Sequence, residues 1–112
     1  MIRQIRIEAF LPTGKATAAA RIADRIAEDL ALCHQQTAPH PEGGHVARFS
    51  CSFAGENWAE NVLAALTLAT RFGRDIRVNG AVSEALTIAV LAPSIIGVDS
   101  VTLDLTREGE PE

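Results

Sequence analysis

The sequence predicts an α/β domain in which helices pack on a mostly parallel sheet. Three observations carry that expectation. Apolar residues alternate with polar ones at a period of two around residues 5–11, 47–53 and 101–105, as half-buried strands require. Between these runs lie segments whose apolar residues recur at the helical period of 3.6. Gly and Pro punctuate the boundaries, and no linker or internal repeat interrupts the series. The expected order is β-α-β-α-β-(α)-β, with right-handed crossovers. The alternative is a ferredoxin-like α+β sandwich, which needs one more hairpin strand.

The first strand is expected over residues 2–11, where Ile5, Ile7, Ala9 and Leu11 alternate with Arg6, Glu8 and Phe10. Pro12, Thr13 and Gly14 end it. A helix is expected over residues 16–36, because the segment is rich in Ala and carries an apolar stripe of Ala19, Ile22, Ala23, Ile26, Leu30 and Cys33. Pro39, Pro41, Gly43 and Gly44 make residues 37–44 a loop. A second half-buried strand follows, with Ala47, Phe49, Cys51 and Phe53 on one face.

The second helix is expected over residues 57–72, with Gly73 as its C-cap. It carries two apolar faces: Ala59, Val62, Leu63, Leu66 and Ala69 on one, and Trp58, Ala65, Leu68 and Phe72 on the other. A short third strand covers residues 75–78, and Asn79-Gly80 reads as a turn. Residues 83–91 allow two readings. Ser83 caps a third helix in the favoured one, on the strength of Glu84 and Ala85. In the other, residues 86–90 form a strand, which Ile88 and Val90 suit. The last strand holds Val101, Leu103 and Leu105, and residues 107–112 form a flexible acidic tail.

The 112 residues fit a single domain, 1–112, with an ordinary apolar share of 47%. The net charge of −4 favours solubility and names no partner. Nine of the ten basic residues are Arg, and only Arg71, Arg74 and Arg77 sit close together, which is too sparse for a nucleic-acid footprint. No signal-peptide pattern and no membrane-length apolar run is present, so a cytoplasmic location without membrane or nucleic-acid partners is expected. Cys33 and Cys51 are read as buried thiols in a reducing compartment.

Three clusters could carry chemistry. Thr13, Gly14, Lys15 and Thr17 follow a strand and open a helix, where unpaired N–H groups and the dipole attract anions. The segment departs from a phosphate loop: the early glycine is missing, and Ala16 stands where Ser or Thr should follow the lysine. Ala54, Gly55, Glu56 and Asn57, with Glu60 and Asn61 a turn later, would share that edge of a parallel sheet, where Glu56 and Glu60 offer carboxylates for acid or base work. Cys33, His34, His40, His45 and Cys51 are zinc-ligand types at spacings that match no compact metal motif. Ser50, Ser52, Asp75, Asp99 and Asp104 lack the context of a catalytic group.

The function expected from these features is non-catalytic: a small homo-oligomeric protein acting through protein contacts. Trp58, Ala65, Leu68 and Phe72 would form the interface, since one sheet can cover only one face of the second helix. The alternative is a small-ligand or anion sensor built on Thr13, Gly14, Lys15, Thr17, Gly55, Glu56 and Asn57. A small enzyme with its site at the strand ends is the third reading. No cofactor or metal is called for.

Overall fold

The computed structural model describes residues 2–54, 58–81 and 85–106. The elements in chain order are β1 (Ile2–Leu11), α1 (Ala16–Leu30), β2 (Cys33–Pro39), β3 (His45–Ala54), α2 (Trp58–Phe72), β4 (Gly73–Ala81), β5 (Ala85–Pro93) and β6 (Ser100–Thr106). The six strands form one sheet in the order β2-β3-β1-β6-β5-β4. Every neighbouring pair is antiparallel.

This overturns the mostly parallel arrangement, and the cause is local. α1 stops at Leu30 rather than running through residue 36, because Ala31 turns into the left-handed region at φ 55°. The Ala31 and Leu32 N–H groups both return to the Ala27 carbonyl. Residues 33–39 then extend as β2 and pair with β3. β2 is an edge strand with a bulge between His34 and Gln36, so it shows no clean alternation and tolerates Pro39 at its end. The hairpin turn uses positive φ at Gly43 (104°) and Gly44 (79°), closed by hydrogen bonds between residue 40 and residues 43 and 44. With this hairpin present, β3 reverses direction and pairs antiparallel with β1.

The third helix is likewise replaced by a strand, β5. Its residues Leu86, Ile88 and Val90 are buried toward the helices. The Ser83 cap lies outside the described residues. Asn79-Gly80 falls inside β4, paired with Thr87 and Leu86. Gly73 opens β4 directly, paired with Pro93, instead of ending a helix in open space. A Cβ at Gly73 would press on the Ala92 carbonyl oxygen and the Pro93 Cα, so the two backbones meet only because the residue is Gly.

β1, α1, β2, β3, α2 and β6, with the spatial order β2-β3-β1-β6, follow the split β-α-β pattern of a ferredoxin-like sandwich. The β4–β5 hairpin is added beyond β6. Both helices pack on one face of the sheet. α1 lies on β2 and β3, and α2 lies on β4, β5 and β6. The core between them is built from Ile5, Ile7, Leu11, Phe49, Leu103 and Val101 on the sheet and Ala19, Ala23, Ile26, Ala65 and Phe72 on the helices. The other face is polar, with Glu8 paired to Arg48 (3.1 Å) and Thr87 donating to Asp104 (3.0 Å).

Candidate functional site

The added hairpin decides where a cavity can form. Six strands spaced by about 4.8 Å make a sheet roughly 24 Å wide. Two helices of about 10–12 Å diameter cover roughly 20–24 Å, so they have no width to spare and part wherever one is drawn aside. Because α2 is drawn over β4, β5 and β6, a gap opens between the helices. A cleft of about 440 Å³ lies there. Ile5 and Cys51, partners across the β1–β3 ladder, lie on its floor. Leu30 closes it from α1, and Leu63, Ala64 and Leu68 line it from α2. Glu60, Thr67 and Arg71 supply its polar groups. Arg71 Nη2 donates to the Asp29 carbonyl (3.3 Å), so one guanidinium bridges the two helices at the C-terminal end of α1, where a cation is favoured. Thr67 gives its hydroxyl proton to the Leu63 carbonyl (2.8 Å).

The sequence-derived candidates fall in different places. Thr13, Gly14, Lys15 and Thr17 form the entry to α1. Thr13 Oγ1 accepts from the Lys15 N–H (3.2 Å), and the buried His45 donates its Nδ1 proton to the Thr13 carbonyl (2.9 Å). These bonds pin the loop to the start of β3. A Cβ at Gly14 would meet nothing, so no close approach requires glycine there, unlike a loop that wraps a phosphate. Gly55, Glu56 and Asn57 lie outside the described residues. The strand before them ends at Ala54, opposite Ile2, whereas the Lys15 loop follows Leu11, opposite His45. Leu11 and Ala54 therefore end β1 and β3 at opposite ends of the pair, unlike the parallel strands on which a shared edge was expected.

Trp58, Ala65, Leu68 and Phe72 are buried within the single chain, against the sheet. The apolar surface of Trp58, Ala65 and Phe72 is covered there, and Leu68 keeps only a small exposed share, at the cleft it lines. The large apolar side chain left outside on α2 is Leu63, 65% exposed.

The zinc-ligand types are dispersed. His34 contacts Thr37 (2.7 Å) and packs beside Phe49, His40 lies edge-on to Phe10, and His45 is held by Thr13. Cys33 and Cys51 form no disulfide, and Cys33 is exposed and Cys51 half-buried, not buried as expected. Cys33 pairs with Ser50, one residue before Cys51, so the two thiols project from opposite faces of the sheet. Among the described residues, no group of three or more His, Cys, Asp or Glu could hold a metal ion. No described helix is long and apolar enough to cross a membrane.

The cleft was missed as a site because its lining is spread over four elements. The one signal was the second apolar face of α2, which exceeds what a sheet can cover. No protein-family model, no curated protein and no solved structure matches this chain.

Proposed function

We propose that the chain is a binding domain for a small, largely apolar molecule held between α1 and α2. The observation that carries this reading is the cleft itself. Its volume of about 440 Å³ lies in the range of small-molecule sites. Apolar walls with a few polar groups at fixed points are the usual composition of such sites. Burying ligand surface against Ile5, Leu30 and Leu68 supplies affinity, while Arg71 at one end of the cleft can orient a polar group. Titration with a neutral naphthylamine dye tests it. The dye should saturate at one per chain, and Ala64→Phe should fill the cleft and weaken binding about tenfold or more. Failure of any apolar probe to bind, with the fold intact, would overturn the reading.

A second reading places an anion at the entry to α1. Lys15 is exposed there, and no acidic residue occupies the first turn of the helix. Inorganic phosphate should then shift the amide signals of Thr13 to Thr17, and Lys15→Ala should abolish the shift. An unchanged spectrum at millimolar phosphate would remove this reading.

A further inference from the structure

We propose that a second copy of the chain docks on α2 along the cleft, with the two α2 helices antiparallel about a two-fold axis between Ala65 and Leu66. This goes beyond the ligand reading and does not depend on it. The residues that α2 presents to the cleft are Glu60, Leu63, Ala64, Thr67, Leu68 and Arg71. Their spacing is that of a helix-pairing seam, recurring every three or four residues. Running the seam against itself brings Glu60 opposite Arg71 of the second copy at both ends. Leu63 meets Leu68, and Ala64 meets Thr67.

The chemistry of each opposed pair is complementary. The ends carry opposite charges. A guanidinium has five N–H donors, and Arg71 commits one to the Asp29 carbonyl, which leaves donors for a carboxylate. The centre pairs two small residues, which lets helix axes approach to the short end of the usual 8–10 Å. Thr67 has already directed its hydroxyl to Leu63, so it adds no competing donor at the centre. Leu63, the most exposed large apolar residue of α2, enters the partner's cleft between Leu68 and Leu30 and becomes covered. A parallel arrangement would instead set Glu60 beside Glu60 and Arg71 beside Arg71, so charge alone selects the antiparallel one.

Sedimentation of the full chain across a concentration series, with charge reversals, tests the pairing. The wild type should reach twice the 11.9 kDa mass of one chain. Glu60→Arg or Arg71→Glu alone creates two like-charged contacts across the axis and should weaken association by about tenfold or more. The double reversal restores both pairs and should recover wild-type association. Arg71 also holds the Asp29 carbonyl, so circular dichroism of each variant must show the fold retained before a loss of association is ascribed to the charge pair. Leu63→Asp should give a monomer by a route independent of the charge pairs. A wild-type mass of one chain throughout would overturn the proposal. So would a dimer indifferent to the single reversals, or a double reversal no better than either single one.

Discussion

Asn61 is fully buried on the sheet-facing side of α2, and neither its Oδ1 nor its Nδ2 has a hydrogen-bond partner among the described residues. Leaving a buried polar group unpaired costs about 1–3 kcal/mol. Leucine has a similar branched shape without the polar atoms. Asn61→Leu should therefore raise the melting temperature by several degrees, on a scale of about 4–8 °C per kcal/mol for a domain of this size. A fall on thermal denaturation would show that Asn61 holds a polar partner in solution. Gly73 is the opposite case. With the backbone of residues 92–94 within 3 Å of where its Cβ would stand, Gly73→Ala must push β4 away from the end of β5. A loss of about 1–3 kcal/mol in urea unfolding is expected, as for other overpacked sites. A neutral result would mean that the 72–73 junction can shift at no cost.

At the scale of elements, legibility in the sequence followed burial. β1, β3 and β6 are central or next to central, with one face on the core, so Ile5 to Leu11, Ala47 to Cys51 and Val101 to Leu105 alternate cleanly. α2 also read correctly, since its stripe meets a sheet. β2 did not, because an edge strand with a bulge is under weaker demand for alternation. The stop after Leu30 was hidden as well. The left-handed position that usually signals a helix end with glycine is filled by Ala31. Two misread segments, the helix end at Leu30 and residues 86–90, together converted a sheet expected to be parallel into an antiparallel one. The αL strain at Ala31 is testable. Ala31→Gly removes a steric cost of about 1–2 kcal/mol and adds unfolded-state entropy worth less than that. A small rise in the urea midpoint is expected, and a drop would place the helix end elsewhere. The interhelix cleft was illegible for another reason: it depends on strand order, which placed α2 over the added hairpin.

For the whole molecule, the two occupants proposed for the cleft meet the same side chains. Leu63, Ala64 and Leu68 cannot cover a ligand and a partner helix at once. A ligand that binds only the monomer shifts the association equilibrium by mass action. Saturating naphthylamine dye should thus lower the average mass seen by light scattering, and Ala64→Phe should blunt that response. An increase in mass with dye would mean that the ligand sits between copies rather than in place of one.

The position of β1 in the sheet also bears on the order in which the chain can assemble. β1 precedes the other five strands, yet one of its two neighbours is β6, and Arg6 meets Asp104 only when all six strands are present. Pairings separated by roughly a hundred residues close slowly, since a long loop must be ordered before they are rewarded. β1, α1, β2 and β3 can associate earlier from nearer contacts. Until β6 arrives, such a half-sheet shows the unpaired side of β1, with Ile5, Ile7 and Ala9 along it. That transient edge is where misassembly during refolding would begin. Slowing the arrival of β6 should raise the yield of aggregates without altering the stability of the finished fold.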